Sequence, residues 1–323
     1  TGKTSVLEAI HMLATASSFR TTFAADVIKK SCELAEVHGV AVVNTRRVSV
    51  DLTVSRNARG ATKRMLVNGQ KPRSRIDLAD ALPLTVFTPE GVDVVRQGPE
   101  FRRDLITLQM TDLNPLLAET VEKYNKVLTQ RNALLRSFEG GWPSTQQQEE
   151  LSTWESELVL YGESLVASRV DFLKQVQPLV EDIYRSLSHE DSQVKFVYEC
   201  SWVGDFNQAL HASLRSDVAR GYTTVGPHRD DISLVLDGRD ARRQASQGEQ
   251  RSLALAWRLG SHQLIKSVRH TDPLMLLDDV FSELDPLRSQ RLLTLLPAGQ
   301  TLVTTASPLP TGMTPALIMD LRG

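Results

Sequence analysis

The first residues able to do chemistry lie at the start of the chain, in Thr1-Gly2-Lys3-Thr4-Ser5. Glycine followed by lysine and a hydroxyl residue is typical of the end of a phosphate-binding loop. Lys3 would place an ammonium on the β- and γ-phosphates of ATP, and Thr4 would place a hydroxyl on Mg²⁺. We predict that Gly2, Lys3, Thr4 and Ser5 bind the nucleotide and that Thr4 also binds the metal. A chance Gly-Lys-Thr at a helix start is the alternative.

A second chemical segment ends an apolar run near the C-terminus, where Leu276 and Leu277 lead into Asp278 and Asp279. Such a strand delivers carboxylates to the end of a sheet. There, Asp278 would hold Mg²⁺ through water, and Asp279 would polarise the attacking water. A buried strand that simply ends in two turn-favouring aspartates is the alternative. The order of strand, acidic pair and capped helix favours catalytic roles for Asp278 and Asp279.

A third segment, Ser246-Gln247-Gly248-Glu249-Gln250, is predicted to open a helix and is called the signature segment below. Ser246 with Glu249 three residues later fits a capping box. The N–H groups at a helix start can also face a phosphate, so both roles can hold at once. The segment precedes the acidic strand, which is the order of an ABC-type ATPase. The predicted nucleotide contacts from this part of the chain are Ser246, Gly248, Gln250 and Asp285.

Hydrophobic periodicity predicts the elements that position these segments. Helical spacing predicts a helix over 6–13, and Asp285-Pro286 is expected to cap another. Alternating residues over 37–43, 47–54 and 63–67, with the turn dipeptide Asn68-Gly69, predict an antiparallel meander. Further strands are predicted over 84–87, 194–202, 232–236, 273–280 and 301–305. Alternation of strand and helix towards the C-terminus implies a parallel sheet.

Long amphipathic helices are predicted over about 116–135 and 149–187, with another at 205–220. Gly140-Gly141-Trp142-Pro143 separates the first two, so they form a helical hairpin. We therefore predict an α/β head, with a mixed sheet and helices plus the antiparallel meander, into which a helical arm is inserted. The predicted ranges are 1–91 and 216–323 for the head and 92–215 for the arm.

Composition narrows the class of protein. The chain has 323 residues, 41% hydrophobic and 24% charged, as in soluble globular proteins of roughly two domains. Cys32 and Cys200 have no partners at metal-ligand spacing, which disfavours disulfide and zinc frameworks and fits a reducing cytosol. Without a bilayer-length apolar run or a signal peptide, we expect a cytoplasmic protein with no membrane partner. A net charge of −2 means that nucleic acid would need local basic patches.

Taken in order, the motifs resemble those of the RecF family of DNA replication and repair ATPases over nearly the whole chain. The matching stretches are Gly2-Lys3-Thr4-Ser5, Ser18-Phe19-Arg20-Thr21, Phe87-Thr88-Pro89-Glu90, residues 99–103, Gln130-Arg131-Asn132, residues 226–231, residues 246–251 and residues 276–285. The resemblance implies an ABC-type head like that of structural-maintenance-of-chromosomes proteins, with a short helical arm in place of a long coiled coil.

The resemblance also implies how the motifs cooperate. ATP is held between the phosphate loop of one subunit and the signature segment of another, so ATP binding drives homodimerisation. Asp278 and Asp279 then act on the nucleotide bound by their own subunit. Ser246 and Gly248 reach the nucleotide of the partner, and Asp285 lies in the loop between the two sites.

The implied function is a weak, DNA-dependent ATPase whose hydrolysis acts as a switch. It would bind single-stranded and gapped duplex DNA, work with RecR- and RecO-like mediators to load recombinase, and support SOS induction. Some arginines are candidates for contacts with DNA phosphates, although for any single one a solvated face or an internal ion pair is the favoured alternative. The candidates are Arg102, Arg103, Arg239, Arg242 and Arg243.

Other functions remain open. The incomplete phosphate loop favours a non-enzymatic partner-binding module with a degenerate head, whereas the helical hairpin disfavours the ATPase subunit of a membrane transporter. Because the chain begins at Thr1 with no strand before the loop, we expect an N-terminally incomplete fragment that binds ATP poorly.

Overall fold

In the computed structural model, the described residues are 2–58, 60–72, 81–88 and 92–321. Thr1 and the Pro89-Glu90 part of one matching motif therefore lie outside the described residues. The helices are α1 (Lys3–Thr15), α2 (Asp93–Arg96), α3 (Pro99–Leu113), α4 (Leu117–Ser137), α5 (Thr145–Ser188), α6 (Phe206–Arg220), α7 (Ala241–Gln244), α8 (Gln247–Arg269) and α9 (Pro286–Leu295). The strands are β1 (Leu34–Val43), β2 (Arg46–Asn57), β3 (Gly60–Val67), β4 (Leu84–Phe87), β5 (Val194–Glu199), β6 (Asp231–Leu236), β7 (Arg239–Asp240), β8 (Leu274–Asp278) and β9 (Thr301–Thr304).

The chain divides into two compact units, each built from separated stretches of sequence. The first unit contains Thr1–Val92, Asp182–Asp191 and Arg251–Gly323, and the second contains Asp93–Glu181 and Ser192–Gln250. Residues 216–250 thus lie in the second unit, although the sequence prediction assigned them to the head. The division into head and inserted arm remains a prediction.

The antiparallel meander predicted from alternation is confirmed in the first unit. Its strand order is β1-β2-β3, with Leu52 opposite Val37 on one side and Met65 on the other. One face of β2 is buried with Met12 and Leu13 of α1, so the hydrophobic effect holds helix and meander together. The meander therefore supports α1, whose first residues belong to the predicted phosphate loop.

A parallel sheet with the order β4-β8-β9 completes the first unit, and α1 contacts all three strands. Its central strand is apolar and buried, since Met275, Leu276 and Leu277 are at most 2% exposed. This arrangement confirms the predicted parallel sheet for β8 and β9. The predicted strand at 232–236 is instead β6, which pairs antiparallel with β5.

The second unit contains the predicted helical hairpin, formed by α4 and α5 around residues 138–144. A buried ion-pair cluster joins its helices: Arg131 of α4 lies 2.8 Å from both Glu155 of α5 and Asp217 of α6. All three side chains are at most 5% exposed. Removing one charge of such a cluster typically costs about 3–5 kcal/mol, because the others stay buried without a partner.

Several elements differ from the sequence prediction, among them the short elements α2, β7 and α7, which it did not include. The strand predicted over 194–202 ends at Glu199, because its partner strand β6 begins at Asp231, the residue that pairs with Glu199. Helix α3 was not predicted, since buried Arg102 and Gln109 interrupt its apolar stripe. Among the described residues, no helix is long and apolar enough to cross a membrane.

Candidate nucleotide site and signature segment

The start of α1 and the end of β8 bring a hydroxyl and a carboxylate together. The Thr4 hydroxyl donates to Asp278 Oδ1 at 3.0 Å, although 274 positions separate the two residues. Asp278 is 5% exposed, because the strand that carries it is the centre of the parallel sheet. The structure therefore brings together the two residues predicted to bind Mg²⁺.

Lys3 and Gly2 extend this cluster on the side of the phosphate loop. The Lys3 ammonium donates to the carbonyl oxygen of Thr305 at 2.7 Å, just beyond β9. Gly2 has φ 66°, a conformation that favours glycine, and among the described residues no atom beyond its chain neighbours lies within 4 Å of where a Cβ would stand. Ser5 follows in the first turn of α1 and is exposed. Open backbone beside an ammonium fits a phosphate group.

A residue that the sequence did not single out also contacts the Asp278 carboxylate. The hydroxyl of Thr304, on β9, donates a hydrogen bond to Asp278 Oδ1. The parallel register places Thr304 beside Asp278, so both strands end at one edge of the sheet. The signal available in the sequence was a hydroxyl residue at the end of the next predicted strand.

Asp279 leaves the strand in a left-handed backbone conformation, with φ 49°. Its N–H donates to the Thr304 carbonyl at 3.0 Å, and its Oδ1 accepts from Ala306 N at 3.2 Å. Aspartate tolerates this conformation better than most residues. The turn takes Asp279 out of the buried strand and leaves its side chain half-buried.

The donor set of this cluster fits a magnesium nucleotide. Mg²⁺ prefers oxygen ligands, which the Thr4 hydroxyl and the Asp278 carboxylate supply, and Lys3 supplies a charge for phosphate. Among the described residues, no group of three or more His, Cys, Asp or Glu side chains could hold a metal by themselves. An all-protein metal cage is therefore not what these residues form.

The signature segment forms the capping box that its sequence predicts. Ser246 N donates to Glu249 Oε2 at 2.5 Å, and Glu249 N donates to Ser246 Oγ at 3.2 Å. The Ser246 N–H lowers the pKa of the Glu249 carboxyl, and Arg239 adds to this effect. A side-chain hydrogen bond from Ser246 lowers this pKa further, so an external anion would compete with Glu249 for the Ser246 hydroxyl proton.

Gln250 does not fit the nucleotide-binding role predicted for it. Its Nε2 donates to the carbonyls of Ala241 and Arg242 at 3.1 and 3.2 Å, and its Oε1 accepts from Arg96 Nε at 2.9 Å. The side chain is 8% exposed. Its polar atoms already have protein partners, so Gln250 joins α7 to α2.

Asp285 forms the helix cap that its sequence predicts. It accepts Arg288 N at 2.9 Å at the start of α9, and this bond lowers the pKa of its carboxyl. Its other oxygen lies 3.1 Å from the Arg288 guanidinium. A contact with nucleotide remains a prediction for Asp285.

The structure separates the five arginine candidates for DNA binding. Arg102 is 4% exposed and binds both oxygens of Asp231 at 2.8 Å, so it is unsuited to a DNA phosphate. Arg103 is half-buried and donates to the Asp230 carbonyl at 2.7 Å, and burial lowers the pKa of its guanidinium. The remaining three arginines are exposed. Arg239 contacts Glu249, Arg242 contacts the Arg96 carbonyl, and Arg243 contacts Asp240.

Comparison with known proteins gives a consistent set of relatives, although no protein-family model matches the chain. The chain is 33% identical to the DNA replication and repair protein RecF of Heliobacterium modesticaldum over 301 residues, which is 90% of this chain and 79% of that protein. It is 34% identical to RecF of Acidothermus cellulolyticus over 319 residues, 95% of this chain and 85% of that protein.

Solved structures agree with these relatives. The recombination mediator protein RecF in the RecFOR pathway, solved as RecF-ATP, matches with a TM-score of 0.85 and 25% identity, covering 95% of this chain and 83% of that one. The head of Smc bound to the C-winged helix domain of ScpA matches with a TM-score of 0.52 and 16% identity, over 95% of this chain and 79% of that one. The fold is therefore that of an ABC-type ATPase head.

Proposed function

Because this chain belongs to the RecF family of DNA replication and repair proteins, we propose that it is an ATP-dependent DNA-binding protein. The observation that carries the proposal is the hydrogen bond of 3.0 Å between the Thr4 hydroxyl and the Asp278 carboxylate. It joins the end of a phosphate loop to the end of a buried strand, as an ATP site requires. Solved RecF-ATP, with which this chain shares 25% identity, supports ATP as the nucleotide.

Each residue of the cluster has a role in this proposal. Lys3 would bind the phosphates in place of the Thr305 carbonyl, while Thr4 and Asp278 would hold Mg²⁺. Asp279 would orient the hydrolytic water. When bound, the metal would supply charge stabilisation at the phosphates, and Thr304 would keep the Asp278 carboxylate in place.

The signature segment would act on the nucleotide of a second subunit. Ser246 has a hydroxyl and Gly248 a backbone N–H at the start of α8, so both could donate to a phosphate. ATP would then favour a homodimer, and its slow, DNA-dependent hydrolysis would release the dimer. This coupling makes nucleotide binding a switch for DNA binding.

The cellular role belongs to the same proposal. We place the protein in the cytoplasm, on single-stranded and gapped duplex DNA, where it assists RecR- and RecO-like mediators in recombinase loading and supports SOS induction. The proposed RecR- and RecO-like partners are supported by the solved RecF relatives, which act in the RecFOR pathway.

Replacing both aspartates with alanine, D278A/D279A, should abolish ATP turnover in the full-length protein. The variant lacks the Asp278 carboxylate proposed to hold Mg²⁺ and the Asp279 carboxylate proposed to orient the hydrolytic water. The control is D191A, since the Asp191 side chain is 98% exposed. Turnover should be measured with DNA present. Unchanged turnover in the double variant would remove the catalytic assignment.

Dimerisation needs its own experiment. Sedimentation of the full-length protein with ATP should give a dimer, and sedimentation without ATP should give a monomer. S246R should prevent the dimer, because a long side chain would stand where the partner's nucleotide docks. A monomer under both conditions, with DNA binding independent of ATP, would favour the non-enzymatic partner-binding module.

A further inference from the structure

Residues 226–231, Gly-Pro-His-Arg-Asp-Asp, form a loop in the second unit, and most of the polar side chains of this loop are hydrogen-bonded within the unit. His228 Nε2 lies 3.1 Å from the Thr223 carbonyl, and its Nδ1 lies 2.7 Å from the Tyr124 hydroxyl. A carbonyl can only accept, so Nε2 carries the proton and Nδ1 accepts from Tyr124. Burial lowers the pKa of His228 to about 4, which keeps the ring neutral in this arrangement.

The two aspartates of the loop are also satisfied from within the unit. Asp230 is fully buried and accepts from the Tyr198 hydroxyl at 2.7 Å and from Ser201 N at 2.8 Å. Asp231 binds the buried Arg102 guanidinium through both oxygens. Neither carboxylate is therefore free to neutralise the arginine that lies between them and His228 in sequence.

That arginine, Arg229, is the exposed side chain of the loop. Its guanidinium lies over the ring of Tyr222, 5.0 Å from the ring centroid. The backbone N–H of Arg229 donates to the Gly226 carbonyl at 2.7 Å. Within the described ranges, Arg229 has no ion pair with a carboxylate. Its positive charge is thus held in a fixed position without being neutralised.

Further positive charge surrounds the turn that carries Tyr222. Arg136 of α4 contacts this turn, because a Cβ added to Gly221 would stand 3.2 Å from its Cγ. Arg220 immediately precedes Gly221, and both arginines are exposed. A guanidinium positioned on an aromatic ring can bind phosphate through two hydrogen bonds with little further loss of side-chain entropy.

We propose that Arg229, oriented by Tyr222 and supported by Arg136 and Arg220, binds backbone phosphates of DNA. The proposal rests on the DNA-binding function proposed above and assigns it a place on the second unit. A fixed phosphate contact of this kind gives affinity and orientation without reading base sequence. Arg229 takes the place of Arg102 as a candidate DNA contact, because Arg102 is buried in an ion pair with Asp231.

The test is fluorescence anisotropy of labelled gapped duplex and single-stranded DNA with the full-length protein and ATP, over a range of salt concentrations. R229Q should weaken binding about ten-fold and lower the slope of log K against log salt by about one, as for one lost phosphate contact. Y222L should weaken it about three-fold with an unchanged slope, because the charge remains and only its cation–π contact is lost. The control is K174Q, which removes an exposed charge on α5 of the same unit and should bind nearly as the parent does.

The outcomes separate this inference from the proposed function. If the parent protein binds no DNA, the proposed function fails and the inference fails with it. If the parent binds and R229Q binds equally with the same salt slope, the site is elsewhere and only the inference is overturned. A parallel titration with poly-glutamate tests an acidic protein partner: loss of that binding in R229Q, with DNA binding intact, would also overturn it.

Discussion

At the scale of single residues, the Asp278 carboxylate depends on two hydroxyls that reach it from different elements. Thr4 comes from the start of α1 and Thr304 from the end of β9, and both donate to the same oxygen, Oδ1. Hydrogen bonds to a charged acceptor contribute about 1.5–3 kcal/mol each. If Thr4 bound a metal instead, Thr304 would be the hydroxyl that keeps this carboxylate oriented.

We expect T304V to lower ATP turnover about ten-fold, because the Asp278 carboxylate loses the hydrogen bond from Thr304 that orients it. The Mg²⁺ concentration for half-maximal turnover should rise, and T304S should restore both values. T301V is a matched control on the same strand, since Thr301 Oγ1 is buried without a partner among the described residues. A T304V protein with normal Mg²⁺ dependence would assign Thr304 a merely structural role.

At the scale of elements, Gly162 sets how closely α5 approaches its neighbours. A Cβ at this position would stand 2.6 Å from Phe206 Cε1 on α6 and 3.3 Å from Tyr124 Cε2 on α4. Both rings are buried, and Tyr124 is further held by His228, so neither can move aside easily. The close packing of three helices in the second unit thus depends on the absence of one methyl group.

G162A should therefore destabilise the protein even though alanine favours helix by about 1 kcal/mol over glycine. Overpacking a buried contact costs about 1–3 kcal/mol, and at 2.6 Å we expect the upper part of that range to prevail. Urea unfolding should show a net loss of about 1–2 kcal/mol. S164A, at an exposed site two residues further along α5, should be neutral or slightly stabilising. A stabilised G162A would contradict the tight approach.

At the scale of the whole molecule, histidines whose pKa is lowered by burial link stability to pH, and the shift is large for two of them. Burial lowers the pKa of His228 in the second unit and of His262 in the first unit to about 4. His262 Nδ1 contacts the Thr85 hydroxyl at 2.8 Å, and its Nε2 has no partner within the described part of the chain. The unfolded chain, with histidines near pKa 6.5, binds these protons more readily than the folded protein does.

Stability should consequently be fully present above about pH 6.5 and should fall as the pH decreases towards 4, below which these two groups add no further loss. Each histidine contributes up to about 3 kcal/mol to this decrease. Urea unfolding at pH 7.5, 6, 5 and 4 measures it. H228Q should flatten the dependence, whereas H189Q, at an exposed histidine, should leave it unchanged. An equal slope in H228Q and the parent would show that His228 does not titrate as stated.

Local structure and the order of the motifs were predictable from the amino-acid sequence. The alternation in β2, the capping box at Ser246 and the cap at Asp285 were all readable, because each depends on residues a few positions apart. The order of the motifs was also enough to predict membership of the RecF family, which the relatives confirm. Local patterns are predictable because the residues that interact are close together in the sequence.

Which polar side chains are available to ligands depends on tertiary packing and was not predictable from the sequence. Arg102 and Gln250 were predicted to bind ligands, yet burial commits them to Asp231 and to α7 and α2. Arg229, from a motif without an assigned role, is instead exposed and has no carboxylate partner in the described ranges. The reason is physical: partners such as Thr304 and Asp278 meet through strand pairing and packing, which bring together residues that are distant along the chain.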